Sequence, residues 1–375
     1  MDGLKKVFDK YRLPRQKLTF PVGAVGYFGY DGSLFFGFYD TILAVDHQQH
    51  RLIISSVSRA RIKDILKSLR ILNLSSSIKI PLSFPKALIG NPNKNNLNFK
   101  SNFTKDGYLR TIRQALEHIR RGDIYQINLS HQLKVSVPQW SKHLDPASIY
   151  RNLRETFPSE FGAYFDDGKQ IILSASPERF LQLNRGMVQV KPMKGTRPRG
   201  KTKLQDQRLK EQLLKSPKEI AELLMVTDLE RNDLGRVCDY ASVKVKKMRT
   251  IENYASVFQA TSTIEGRLRK ECDQFDLLRA TFPSGSVTGC PKIEAMKIIK
   301  KLEHGPRGLY TGALGYMSFS GDMDFNVMIR TMFLTQDQIT FHVGGGIVAD
   351  SKPQDEWEET WVKAKPLIET LKKSF

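Results

Sequence analysis

The sequence predicts an α+β protein with extensive antiparallel sheet, and three observations carry that reading. Runs rich in β-formers are joined by tight turns such as Asp167-Gly168 and Asn184-Arg185-Gly186, a spacing that pairs neighbouring strands antiparallel. Several segments with a helical apolar stripe carry their own start and stop signals. At 375 residues and 40% hydrophobic content, the chain exceeds the usual single-domain range and can bury a sizeable core, either as two domains or as one large unit built from two halves.

Residues 18–57 read as strands: LTFPVGAVGYFGY, then DTILAVDHQQHRLIISSV, in which two β-rich runs flank a polar turn. A helix over 61–72 comes next. The Pro- and Asn-rich loop of 81–98 is the best internal boundary, separating a strand-rich part (1–100) from the remainder (101–375) and joining two halves rather than independent domains. Thr104 can cap a helix whose stripe is Tyr108, Ile112, Ala115, Leu116 and Ile119, with Gly122 as its stop. IYQINLSHQLKVSV reads as a strand, 147–156 as a helix, and then a meander follows: FGAYF, IILSASPERFLQL and MVQVKPMKG, joined by the two turns named above. Ser216-Pro217-Lys218-Glu219 has the form of a capping box with Pro at the first helical position. A helix over 291–303, strands over 309–319, 325–334 and 338–347, and a helix from 353 complete the chain; Pro366 is expected to kink or divide the last helix.

Composition narrows the function. No apolar run nears the ~20 residues of a membrane span, and MDGLKKVFDKYRLPRQ has no apolar signal-peptide core, so the expected setting is cytoplasmic. Cys238, Cys272 and Cys290 share no metal spacing and cannot all pair, which suits a reducing compartment. The net charge of +20 is spread along the chain and no nucleic-acid motif accompanies it, so it reads as the mark of a lysine-rich proteome, with some steering of an anionic substrate, rather than as nucleic-acid binding.

Two matching Glu-x-x-Glu steps, Glu219/Glu222 and Glu356/Glu359, lie on separate predicted helices. Residues three apart share a helix face, so each step aims two carboxylates one way. Facing helices would gather four hard oxygen ligands without His or Cys, a set that suits Mg2+. The alternative is two solvated helix faces. A di-iron bundle would need Glu-x-x-His, which neither helix has. Lys363 continues the stripe of Glu356 and Glu359, while Trp357, Trp361, Ala364 and Ile368 form the stripe that should pack inward. FPSGSVTGCPK (282–292) is a Gly- and hydroxyl-rich turn entering a helix, able to bind an anion through free N–H groups or to be an ordinary capped turn. Gly344-Gly345-Gly346 allows close approach of a ligand or a tight turn. Arg330, on a strand that reads as buried, needs an anion, either a bound carboxylate or a structural Asp/Glu. Lys194 sits beside Lys191, Arg197 and Arg199; it is either a solvated surface lysine or one whose pKa the clustered positive charge lowers, yielding a nucleophilic amine.

Together these segments resemble the chorismate-utilising enzymes, a family that includes component I of anthranilate synthase and of aminodeoxychorismate synthase, and the isochorismate and salicylate synthases. The match is carried, in order, by GDIYQINLS, SASPERF, KPMKGTRPRG, KEIAELLMVTDLERNDLGRV, FPSGSVTGCPKIEAMKII, YTGALGYMSFSGDMDFNVMIRT and GGGIVADS, with a weaker one at VGAVGYFGYD. The resemblance implies a layered α/β sandwich with antiparallel sheets and an active site between the two halves. It implies Glu222 and Glu359 as principal Mg2+ ligands, with Glu219 and Glu356 alongside, and Glu178 as the acid that protonates the departing C4 hydroxyl. Tyr310, Arg330, Gly344, Gly346 and Lys363 are the implied substrate contacts. Gln259 and Ser286 stand where many members have His and Thr; Gln259 can hydrogen-bond a hydroxyl but cannot take a proton.

Two positions separate the reactions within the family. Gln126 stands where the isochorismate and salicylate branches carry a lysine base, which argues against them. Lys194-Gly195-Thr196 resembles the Lys-Gly-Thr of aminodeoxychorismate synthases rather than the Ala-Gly-Thr typical of anthranilate synthases, making Lys194 the implied nucleophile. The implied activity is conversion of chorismate and ammonia to 4-amino-4-deoxychorismate, the precursor of p-aminobenzoate for folate. The chain shows no glutamine-amidotransferase signature, so ammonia is expected from a separate glutaminase subunit. The alternatives are an anthranilate synthase component I and, from another class, a catalytically silent basic binding protein. Most large members begin with further residues that in several hold tryptophan, and such a site is not among the expectations here.

Overall fold

The computed structural model describes residues 1–13, 22–46, 51–71, 97–137, 145–254 and 257–375. The greater part of the predicted 81–98 loop lies outside these residues. Two antiparallel sheets dominate. Among the described residues the larger has nine strands, running in space Met193–Pro198, Val257–Arg267, Met187–Val190, Arg179–Asn184, Met323–Val327, Ala313–Ser318, Gly23–Phe28 and Leu34–Tyr39, with Lys244–Asn253 also paired to Val257–Arg267. The smaller runs Gly289–Cys290, Gln126–Ser136, Gln338–Ile347, Thr331–Leu334, Ile171–Ser176 and Phe161–Asp166, with the short Lys100–Ser101 on Gln126–Ser136. The N-terminal strand Gly23–Phe28 pairs with Ala313–Ser318, so segments nearly 300 residues apart in sequence share a sheet.

The sheets meet through Tyr27 and Leu314 from the larger and Phe165, Ile172 and Phe333 from the smaller. The other face of the smaller sheet is closed by the helices Pro146–Thr156 and Pro353–Ser374, through Leu153, Ala364, Leu367 and Leu371 against Leu173 and Phe341. A further cluster seats the helices Lys105–Arg120 and Lys292–Leu302 over Ile127, Leu129 and Ile347. The core of the larger sheet takes in Leu4 and Phe8 of the helix Asp2–Lys10.

Local signals explain much of this. Thr104 accepts from the Gly107 N–H, its helix buries Tyr108, Ile112, Ala115 and Leu116, and Gly122 stops it at φ +80°. Arg185 (φ +52°) and Gly186 (φ +81°) make the two-residue turn between Arg179–Asn184 and Met187–Val190. Three expectations need correction. Pro217 opens its helix, but the capping box does not form: Ser216 makes no capping hydrogen bond, and the Glu219 carboxylate pairs with Arg197 instead. Pro366 lies inside one continuous helix, Pro353–Ser374, and does not divide it. Most consequentially, the runs 171–183 and 325–334 are not single strands. Each breaks in the middle, its first part belonging to one sheet and its second to the other. The helices Asp2–Lys10, Lys203–Lys215 and Gln274–Thr281 and the strand pair Lys244–Asn253/Val257–Arg267 were not expected. No helix among the described residues is long and apolar enough to cross a membrane, and all three cysteines are unpaired.

His131 ties the strand Gln126–Ser136 to its surroundings. It is fully buried, Nε2 lies 2.9 Å from Thr360 Oγ1 and Nδ1 3.1 Å from Ser101 Oγ, and its ring stacks on Trp357. Burial pushes its pKa down to about 4. Below about 6.5 the unfolded chain takes up a proton that the folded one refuses, so stability drains as pH falls from 6.5 towards 4, by up to about 3 kcal/mol from this residue. Urea unfolding midpoints should fall over that window, and His131→Gln should remove part of the slope.

Candidate active site

The two mid-run breaks place the first groups. Ser176 Oγ donates to the Val327 carbonyl at 2.6 Å, the Val327 N–H to the Glu178 carbonyl at 3.1 Å, and the Ala175 N–H to the Arg330 carbonyl at 3.1 Å. The chain thus crosses between sheets twice, side by side, and Glu178 and Arg330 sit on the two crossings. Glu178 is 4% exposed; its Oε1 accepts from Ser286 Oγ at 2.6 Å, and burial pushes its pKa up to about 7. Arg330 (φ +52°) donates to the Lys363 carbonyl at 2.9 Å and lies over the Phe157 ring at 5.1 Å. Among the described residues no carboxylate pairs with it, and burial lowers its pKa to about 10. The open question from the sequence, a structural acid or a ligand, is therefore not answered by a structural acid.

Lys194 comes from the strand Met193–Pro198. The register against Val257–Arg267 slips between Lys194 and Thr196, and Gly195 takes up the extra residue at φ +75°. A Cβ there would lie 2.8 Å from Leu213 Cδ1 and 3.0 Å from Glu219 Cδ. The amine donates to the Ser286 carbonyl at 3.2 Å. Its pKa is lowered, first by burial, with Glu222 and Glu178 opposing. The expected cause, a cluster of positive charge, is not the operative one. Lys191 pairs with Glu252 at 2.9 Å, Arg197 with Glu219 at 2.6 Å and Arg199 with Asp206 at 2.7 Å, so each neighbouring cation is already matched.

The triple glycine is neither a turn nor a loop but the inner end of the strand Gln338–Ile347, opposite Asn128, Leu129 and Ser130. A Cβ on Gly344 would stand 2.3 Å from the Leu129 carbonyl oxygen. On Gly345 it would stand 3.2 Å from Glu356 Oε2 and 3.9 Å from Glu359 Oε1, and on Gly346 it would stand 2.8 Å from Gln126 Nε2 and 3.3 Å from Lys194 Nζ. Alternation along the strand thus turns bare backbone towards the acidic helix at one residue and towards Lys194 at the next. Lys363 donates to the Gly344 carbonyl at 2.9 Å and pairs with Glu359 at 2.6 Å. Tyr310 is buried and stacks on His342, with ring centroids 4.9 Å apart. Gln126 is fully buried with neither side-chain amide atom partnered, and Gln259, 6% exposed, leaves its carbonyl oxygen unpartnered. Buried amides without partners are rare in a finished core and suit a ligand.

The Glu-x-x-Glu helices do face each other. Lys218 stands between them, 3.9 Å from Glu222 Oε1 and 3.6 Å from Glu356 Oε1. Burial raises the pKa of Glu222, and Glu356 and Glu359 add to that rise; burial likewise raises Glu356, while Lys363 lowers Glu359. Ser351 donates to Glu356 at 2.6 Å, and the second oxygen of Glu219 has no partner. Among the described residues no three His, Cys, Asp or Glu side chains stand together in a way that could hold a metal, because lysines lie between these carboxylates. The chemistry of the donor set itself suits Mg2+: it is all oxygen, with Glu356 buried, Glu219 and Glu222 half-buried and Glu359 exposed, its charges raise one another's pKa, and an unpartnered oxygen of Glu219 is at hand.

One group escaped the sequence reading. Glu230, on the same helix as Glu219 and Glu222, is 2% exposed and accepts from Ser284 Oγ at 3.2 Å and the Gly285 N–H at 2.9 Å. A glutamate inside LERND carries no signal of burial.

The sequence profile described as chorismate binding enzyme matches residues 8–369. Anthranilate synthase component 1 of Aquifex aeolicus is 43% identical over 274 residues, 73% of this chain and 54% of that protein. An aminodeoxychorismate synthase of Streptomyces griseus is 43% identical over 272 residues, 72% of this chain but only 37% of its own length. The chain thus spans about half or less of these two relatives. The crystal structure of anthranilate synthase component I from Streptococcus pneumoniae superposes with a TM-score of 0.83 at 32% identity, covering 98% of this chain and 85% of that one. A profile match across nearly the whole length, and a shared fold that sets these residues around one triple-glycine strand, mean that the chain belongs to the chorismate binding enzyme family.

Proposed function

We propose that this chain converts chorismate and ammonia to 4-amino-4-deoxychorismate. The observation that carries the reading is Lys194: a half-buried lysine with a lowered pKa, facing Gly346 and held through Ser286 beside a carboxyl whose pKa burial raises to about 7. Burial biases that pair towards the protonation states a covalent substitution needs, a neutral nucleophile and a neutral acid. The amine attacks C2 while Glu178 gives its proton to the C4 hydroxyl, which leaves as water; ammonia adds at C4 and the lysine departs. Arg330 and Lys363 offer cations for the substrate carboxylates. Tyr310, Gln259, Ser286 and the backbone at Gly344 and Gly346 would contact the substrate. Glu222 and Glu359, supported by Glu219 and Glu356, would hold Mg2+. Bound there, it would supply Lewis-acid polarisation of a substrate carboxylate. Ammonia would come from a separate glutaminase subunit in the cytoplasm.

The deciding experiment incubates the protein with chorismate, MgCl2 and ammonium and identifies the product by mass and fluorescence. 4-Amino-4-deoxychorismate is expected, and Lys194→Ala should lower kcat by about a thousandfold or more, with Lys194→Arg no better because guanidinium keeps its proton. Anthranilate as the product, or unimpaired turnover by Lys194→Ala, would replace this reading with that of an anthranilate synthase component. Glutamine alone should support no reaction until a glutaminase is added.

The pH profile follows from the same two groups. The rate should climb as pH rises through the lowered pKa of Lys194, and fall above about 7 as Glu178 loses its proton. Glu222→Gln or Glu359→Gln should each abolish turnover while circular dichroism stays unchanged, and exhaustive EDTA treatment should silence the wild type until Mg2+ is restored. Full activity in EDTA would rule out the metal site.

A further inference from the structure

Four oxygens form an unbroken path away from the reacting groups. Glu178 Oε1 lies 2.6 Å from Ser286 Oγ, Ser286 Oγ lies 3.0 Å from Ser284 Oγ, and Ser284 Oγ lies 3.2 Å from Glu230 Oε1. All four residues are buried. Each of the three links needs one proton between its oxygens, and each hydroxyl owns one. Two serines therefore supply two protons for three links. With both carboxyls ionised, each serine would donate outwards, and their hydroxyl oxygens would face each other at 3.0 Å with nothing between. One further proton completes the path, and it can sit at either end.

We infer that Glu178 and Glu230 share one proton through Ser284 and Ser286, and that Glu230 is the positioning residue that sets when Glu178 holds it. Shifting the proton reverses all three links together: one O–H bond breaks at Glu230, one forms at Glu178, and each serine passes on its own proton while receiving another. Burial pushes both carboxyls up to about 7, and the charge of Glu230 adds to the rise at Glu178. Around Glu178 stand Lys194, Glu230 and Tyr254; around Glu230 stand Lys292, Asp233 and Glu178. Lys292 and Arg236 both bond Asp233, so the charge next to Glu230 is already matched. Lys194 is the lever. As an ammonium it favours a carboxylate at Glu178 and sends the proton to Glu230; as the neutral amine it releases that hold, and the proton returns to Glu178 when the nucleophile is ready. Resting on the amination proposed above, the balance closes: Glu178 delivers the shared proton to the leaving hydroxyl, and the ammonia nitrogen, on bonding to C4, sheds the proton that refills the path.

The test reads protonated carboxyls by infrared spectroscopy on the full chain with 13C-labelled glutamate side chains, without substrate. At pH 7 the wild type should show a protonated carboxyl band that disappears in Glu178→Gln and equally in Glu230→Gln, because the amide of either glutamine can donate into the path and let the remaining carboxyl ionise. Loss of the band in only one variant, or its absence from the wild type, overturns the sharing. In turnover, Glu230→Gln should leave KM for chorismate within about twofold and move the basic limb of the kcat profile to lower pH by about one unit. A merely structural role would lower kcat by one factor at every pH, and an unmoved limb overturns the inference. Should Glu230→Gln fail to fold, Ser284→Ala cuts the path with both carboxyls kept and must shift the limb the same way. The infrared result stands or falls without chorismate, so failure of the amination reading would be seen separately, in the product.

Discussion

The site depends on one constraint: the chain must pass from one sheet to the other twice, at neighbouring points, without leaving backbone groups unpaired. The Val327 N–H is satisfied by the Glu178 carbonyl, and Ser176 Oγ fills in where the ladder stops by donating to the Val327 carbonyl. Such crossings cannot be closed by side-chain packing, so polar groups gather at the seam between two hydrophobic cores. Glu178 and Arg330 are held there by strands anchored at both ends, which keeps an acid and a cation in place without long side-chain networks.

Burial then does the electrostatic work in opposite directions. It disfavours charge on whichever group is there, raising Glu178 and lowering Lys194. Both shifts favour the neutral pair, while Coulomb attraction between the two favours the ion pair. Ser286 keeps them associated but apart, accepting from the amine through its carbonyl and donating to the carboxyl through its hydroxyl. The same low-polarity setting leaves the amides of Gln126 unsatisfied, a cost of order 1–3 kcal/mol per group that a bound polar ligand would relieve.

Much of this was legible in residue order and little of it in register. The capped helix from Lys105, the turn at Arg185-Gly186 and the two acidic steps announce themselves through local chemistry. The sheet changes within 171–183 and 325–334 do not, because Ser-Ala-Ser-Pro-Glu-Arg and Val-Met-Ile-Arg continue an apolar run whichever sheet they enter. Lys194 stands out through the Lys-Gly-Thr resemblance, while the charge argument for it does not hold: the lysine and arginines around it are each neutralised by an acid, which only tertiary structure reveals. Glu230 was missed because burial of a charged residue in mid-helix leaves no periodic trace.

The extra residue at Gly195 makes chain length itself a functional quantity. Successive side chains on a strand point to opposite faces, so removing one residue between Lys194 and Thr196 would not merely shorten a half-exposed strand. It would throw one flank out of phase with Val257–Arg267. Either Lys194 would swing to the far face or Arg197 would leave Glu219. Deletions are usually tolerated near a protein's rim. Here one would exchange the inside of the pocket for its outside while altering no functional side chain.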